Sequence, residues 1–246
     1  SAVILTLTRE NNFIYEKNMT DKQKEIIEED LIPYVEFADN ANERTPCVLV
    51  LDCSGSMRGE PIKQLNIGLK ALEKELKEDI DASSRVQILI IKAFGKDQVD
   101  ISSDWVDAMN FTAPQMEADG LTPLGFAMET ALKKIEAQKS LYDDCGISSK
   151  RPWIFLISDG EPTDYDWERV AKKCRDAQDN KKVIIHAIGT EEANLEKLAK
   201  FSTLPPRRLN GLKFTEFFLW LSRSVSCVSK ASPQQADSIE DFFSND

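Results

Sequence analysis

Histidine is almost missing from this chain: His186 is the single one among 246 residues. It lies inside the apolar run Val183-Ile-Ile-His-Ala-Ile188, so no Ser–His–acid arrangement can be assembled. A packed or hydrogen-bonded core imidazole is favoured there over a general base. Paired cysteine spacing is missing too. Cys47, Cys53, Cys145, Cys174 and Cys227 are odd in number and scattered, which excludes a thiolate metal cluster and reads as reduced thiols packing as small hydrophobes. Only Cys53, beside the loop discussed next, invites a redox role, and packing is the stronger reading. No apolar run approaches the ~20 residues needed to cross a bilayer. Ala2-Val-Ile-Leu-Thr-Leu7 lacks the basic start and cleavage pattern of a secretory signal, so a cytoplasmic location is expected. Basic excess is also lacking. With 31 Lys and Arg against 42 Asp and Glu, the net charge is −11. Nucleic-acid binders carry basic patches that release phosphate counterions, so neither nucleic acid nor membrane is an expected partner.

What the chain does contain is a strand that ends in oxygen donors. Val48-Leu-Val-Leu-Asp52-Cys-Ser54-Gly-Ser56-Met57 places a carboxylate and two hydroxyls at alternate positions. Side chains at i, i+2 and i+4 of an extended segment share a face, so Asp52, Ser54 and Ser56 converge if the chain stays extended until the next helix. Hard oxygen donors of low total charge suit Mg²⁺, with Mn²⁺ or Ca²⁺ as alternatives. A strand followed by an Asp/Ser helix cap fits the same spacing equally well. Downstream residues tip the balance. Trp153-Ile-Phe-Leu-Ile-Ser158-Asp159-Gly160 is a second apolar run ending in an acid, and Gly120-Leu-Thr122-Pro123-Leu124 sets a hydroxyl before a helix start. Loops at the carboxyl ends of neighbouring parallel strands form the ligand crevice of an open α/β sheet.

The pattern along the chain predicts an α/β fold: a doubly wound, mostly parallel sheet with helices on both faces. Ile62, Leu65, Leu69, Leu72 and Leu76 repeat at helical spacing, as do Leu124, Ala127, Met128, Ala131, Leu132 and Ile135, then Trp167, Val170, Ala171 and Cys174. Val86 to Phe94 and a short segment near Gln98 to Ser102, joined at Gly95-Lys96-Asp97, read as a hairpin with one antiparallel edge strand. Leu195, Leu198 and Ala199 mark a short helix, and Phe214 to Val228 closes the domain. Trp105, Trp153, Trp167 and Trp220 are spread over four elements as packing residues. The expected organisation is an N-terminal extension over 1–44, partly helical at Thr20 to Ile32, one domain over 45–228, and an acidic tail over 229–246. That tail spaces Ile239, Phe242 and Phe243 like one helical face. A disordered tail is favoured, and a docking peptide is the alternative.

Asp52-x-Ser54-x-Ser56, Thr122 and Asp159, in that order, resemble the metal-ion-dependent adhesion site (MIDAS) of von Willebrand factor A (VWA) domains, over about residues 45 to 228. Within that family, Cys53-Ser-Gly-Ser-Met-Arg-Gly-Glu-Pro61-Ile62, Gly120-Leu-Thr-Pro-Leu-Gly125 and Ser158-Asp-Gly-Glu-Pro-Thr-Asp164 resemble the bacterial TerY group associated with tellurite resistance. The resemblance implies a Rossmann-like VWA fold with Ser54, Ser56 and Thr122 as hydroxyl ligands, and Asp52 and Asp159 acting directly or through water. It further implies that a partner's Asp or Glu completes the coordination shell, and that the state of the Thr122 loop governs affinity. A non-enzymatic binding module follows, a scaffold in stress or phosphorylation signalling beside a protein kinase and a metal-dependent protein phosphatase. A VWA subunit of a AAA+ chelatase or remodelling assembly is the alternative. A haloacid-dehalogenase type Mg²⁺ hydrolase is weaker, because Ser54 stands where that chemistry needs a second Asp as general acid. Asp119 reads as an exposed loop acid before it reads as an anchor of the site.

Overall fold

A computed structural model describes residues 42–79, 83–95, 98–209 and 213–230. The helix expected over Thr20 to Ile32, the hairpin tip at Lys96 and Asp97, and the segment 231–246 lie outside these residues. Strands β1 (Thr45–Asp52), β2 (Val86–Phe94), β3 (Gln98–Asp107), β4 (Trp153–Ser158), β5 (Ile184–Gly189) and β6 (Arg207–Arg208) form one sheet in the order β3-β2-β1-β4-β5-β6. All neighbours are parallel except the β2–β3 hairpin at the edge. Helices are α1 (Glu60–Glu78), α2 (Leu124–Asp144), α3 (Trp167–Asp179), α4 (Leu195–Leu198) and α5 (Phe214–Lys230).

Continuous apolar strands are what a sheet covered on both faces requires, and all eight residues of β1 are buried. Cys47, Leu49 and Leu51 point to the layer formed by α1 and α5, while Val48 and Val50 point to α2 and α3. Each fully buried Leu or Val contributes on the order of 1.5 to 3 kcal/mol, so these alternating side chains fix the register. Close approach of α1 to α5 depends on Gly68, where a Cβ would lie 2.6 Å from the Phe218 ring. The edge strand is longer than its sequence suggests. It runs on to Asp107 through register shifts opposite Ile88–Ile91, because Trp105 and Val106 still find core to pack against.

From β1 the chain leads outward to β2 on one side, and β4 lies on the other, so the order of connections reverses between β1 and β4. Such a switch point leaves a crevice at the carboxyl ends of the two strands. Parallel pairing of Leu51 with Ile157 brings Asp52 and Ser158 to that edge side by side.

Candidate metal centre

Asp52 is fully buried at the end of β1. Its Oδ1 accepts the Ser54 backbone N–H at 2.9 Å, and its Oδ2 accepts the Ser158 hydroxyl at 2.5 Å. Burial, and secondarily the negative charge of Asp159, push the Asp52 carboxyl up to about 6, against the opposing pull of those hydrogen bonds.

Convergence of the two serines differs from the extended geometry expected. Ser54 is still extended at φ −68°, ψ 171°, but Gly55–Met57 then curls into a 3-10 turn. It is this turn, closed by the Met57 N–H on the Ser54 carbonyl at 3.0 Å, that folds Ser56 back until the two hydroxyls stand 2.9 Å apart. Pleat alternation ends at Ser54 because a Ser-Gly-Ser segment has no apolar side chain to hold it against a neighbouring strand. Ser56 in turn donates a close hydrogen bond to Asp159 Oδ2. Asp52, Ser54, Ser56 and Asp159 thus lie on one hydrogen-bonded string across the β1–β4 crevice.

Thr122 sits beside this string on a third loop, placed by backbone contacts. Gly55 N–H donates to the Gly120 carbonyl at 2.9 Å and Asp119 N–H to the Cys53 carbonyl at 2.8 Å. Gly120 has φ +71°, and a Cβ there would lie 2.5 Å from Gly95 Cα, so the loop passes against the β2–β3 hairpin only because that residue is glycine. Thr122 is buried, its N–H donating to Thr163 Oγ1 at 3.0 Å while its carbonyl accepts from Thr163 N–H at 2.9 Å.

Three supporting residues carry no role in the sequence reading: Ser158, Thr163 and Asp164. Asp164 accepts the N–H groups of Gly125 and Phe126 at 3.2 and 3.0 Å, capping α2 from a loop some forty residues away. A local capping signature is therefore absent, although all three residues fall in the Ser158–Asp164 segment that carried the resemblance. Asp119 is exposed and paired with Arg58, as an ordinary loop acid would be.

The donors are oxygen throughout, matching a hard divalent cation such as Mg²⁺, Mn²⁺ or Ca²⁺. The string brings together two carboxylates and two serine hydroxyls, and among the described residues no cluster of three His, Cys, Asp or Glu side chains appears. Cys53 is buried, and burial pushes its thiol up to about 12, leaving it inert beside the crevice. His186 stacks on Phe155 at 5.0 Å, and burial, followed by the charge of Arg207, lowers it to about 4. It is a neutral packing residue. Among the described residues no helix is long and apolar enough to cross a membrane.

Solved structures with this architecture include the pilus adhesin SpaC from Lactobacillus rhamnosus GG in an open conformation, 15% identical with a TM-score of 0.62 over 76% of this chain and 31% of that one. A von Willebrand factor type A protein from Catenulispora acidiphila is 14% identical with a TM-score of 0.53, over 75% of this chain and 43% of that one. Proximal thread matrix protein 1 from the mussel byssus is 13% identical with a TM-score of 0.51, over 76% and 49%. The chain spans about a third to a half of the length of these structures, and the likeness is one of fold. No curated protein sequence matches it. The sequence model of the von Willebrand factor type A domain matches residues 47–217, well over half of the chain, and the chain belongs to that family.

Proposed function

We propose that this chain is a divalent-metal-dependent protein-binding module and not an enzyme. Asp52, Ser54, Ser56, Thr122 and Asp159 would hold Mg²⁺, with Mn²⁺ or Ca²⁺ as substitutes, in a MIDAS arrangement. The observation that carries this reading is the string of oxygen donors from two strand-end loops meeting at the switch point of the sheet. Bound there, the ion would offer an open coordination position to an Asp or Glu of a partner protein. Asp52 and Asp159 together balance a divalent charge, so a third carboxylate can approach without strong repulsion. The hydroxyls of Ser54, Ser56 and Thr122 fill coordination space at no charge. Ser158 orients Asp52, and Thr163 with Asp164 holds the Thr122 loop in place.

Catalysis finds no support in the same residues. The single imidazole is stacked in the core, the crevice thiol is inert, and Ser54 cannot act as a general acid near neutral pH. The finer version of the proposal rests on the three TerY-like segments. It makes residues 45–228 the working unit of a cytoplasmic scaffold in bacterial stress, tellurite-resistance or phosphorylation signalling, with a protein kinase and a metal-dependent protein phosphatase as candidate partners. Affinity capture from a native lysate, with Mg²⁺ and with chelator, tests the module: partners should be retained only with metal. Equal capture in chelator would reject metal-dependent binding.

A further inference from the structure

Six large hydrophobic side chains are exposed among the described residues, and three of them lie near the cation site: Leu121 and Tyr165 on its loops and Phe126 in the first turn of α2. Leu121 directly precedes Thr122. Phe126 is tied to the next loop through its N–H on Asp164, and Tyr165 follows Asp164 with its ring fully exposed. The surroundings of the crevice thus carry exposed apolar side chains as well as the exposed pair Arg58–Asp119. A ligand for this surface needs a carboxylate with large apolar side chains next to it.

The chain itself encodes such a ligand. Segment 231–246 reads Ala-Ser-Pro-Gln-Gln-Ala-Asp237-Ser-Ile239-Glu240-Asp241-Phe242-Phe243-Ser-Asn-Asp246. Its four acids, Asp237, Glu240, Asp241 and Asp246, are accompanied by no Lys or Arg, and Glu240 and Asp241 lie between Ile239 and the two phenylalanines. Resting on the reading of the cation site above, we propose that the site and the apolar side chains around it take the Ile239–Phe243 stretch of a second copy of this chain. A carboxylate of Glu240 or Asp241 would face the metal and the flanking phenylalanines would cover Leu121, Phe126 and Tyr165.

Reach favours a second copy over the same one. α5 packs first beside Gly68 and later, at Leu221, beside Leu72, Leu76 and Cys47, so it leads toward the edge of the sheet opposite the site. Only the part of β1 from Cys47 to Asp52 counts toward the site, ~17 Å at ~3.3 Å per residue. The helix from Leu221 to Lys230 adds ~13 Å, so the combined distance is ~30 Å. Asp241, eleven residues beyond Lys230, reaches at most ~36 to 40 Å fully extended, which leaves less than ~10 Å for passing around the helix layer. A neighbouring molecule meets no such limit. Reciprocal exchange of the segment closes a symmetric pair of copies, and one-way exchange assembles them into rings or chains.

The test uses the full chain with its own segment disabled by Glu240→Gln, Asp241→Asn, Phe242→Ala and Phe243→Ala, titrated with a fluorescent peptide of residues 231–246. Mg²⁺ calorimetry on the same protein serves as control. The proposal expects binding in Mg²⁺, loss in chelator, and at least about tenfold weaker binding when Phe126→Ala or Tyr165→Ser is added. It also expects the unmodified chain to sediment as larger species with rising concentration in Mg²⁺, and the disabled chain to remain a monomer. Magnesium heat without peptide binding, peptide binding unchanged in chelator or by the Phe126 and Tyr165 substitutions, or a monomeric unmodified chain at every concentration would each overturn the proposal while leaving the metal site standing. Absence of magnesium heat would remove the metal site and this proposal together.

Discussion

The sheet holds a buried polar cluster at each end, and the two are built on opposite principles. At the end away from the site, Arg44 is fully buried and donates to Asp107 at 3.3 Å and to the Ser84 carbonyl at 2.7 Å. Gln87 bridges this pair to α2, donating to Asp107 at 2.8 Å and accepting from Gln138 at 3.0 Å and from Tyr142. There the chain supplies its own cation. At the other end Asp52 and Asp159 share a crevice, and among the described residues neither forms an ion pair. A buried acid beside its own counter-charge is a structural device, whereas a buried acid beside a second acid takes up a proton more readily or, on the reading proposed above, a cation from outside.

Breaking the first cluster should have the larger effect on folding. Arg44→Met leaves Asp107 buried without its counter-charge, with only the Gln87 hydrogen bond remaining, and should cost about 3 to 5 kcal/mol in urea unfolding, while any domain that still folds keeps its metal response. Asp52→Asn should act in the opposite direction. It removes a carboxyl held near 6, whose ionisation at pH 7 costs the metal-free domain about 3 kcal/mol, so the melting temperature without metal should rise while Mg²⁺ binding disappears. The sign can be followed with pH. Because the folded value lies above the ordinary 3.8, the contribution of Asp52 to stability is complete below about 4 and is lost as pH rises through about 6. Mg²⁺ uptake should run the other way, weakening below about 6 as the proton competes.

His186 supplies a separate pH term of opposite slope. Its folded value, near 4, lies below the unfolded value of 6.5, so stability is complete above 6.5 and falls as pH drops toward 4. The loss amounts to at most about 3 kcal/mol, less for the part of the ring that water reaches, and His186→Phe should flatten the denaturation midpoint across that window. The smallest effect is expected from Thr163→Val. Losing the hydroxyl that accepts from Thr122 N–H should cost about 1 kcal/mol of metal affinity in calorimetry through a looser Thr122 loop.

Sheet, helix order and antiparallel edge were legible because each strand is an unbroken apolar run and each helix keeps its stripe. That Asp52, Ser54, Ser56 and Asp159 come together was legible as well, since the two acids stand where those runs stop. Two things were not. The approach of Ser56 depends on a 3-10 turn whose sequence, Gly-Ser-Met, carries no apolar period to announce it. Ser158, Thr163 and Asp164 act across the crevice on partners some forty to a hundred residues away, and no local spacing encodes such contacts. The Arg44–Asp107 cluster is hidden for the same reason, joining positions 63 residues apart.

Titration calorimetry of the full chain with Mg²⁺ near pH 7.5, run in parallel on Asp52→Asn and Asp159→Asn, tests most directly whether these two acids take a cation from solution. One ion per chain should bind to the unmodified protein and none to either variant, with the melting temperature rising only where heat is released. No heat and no shift of melting temperature for the unmodified protein, in Mg²⁺, Mn²⁺ or Ca²⁺, would contradict the account.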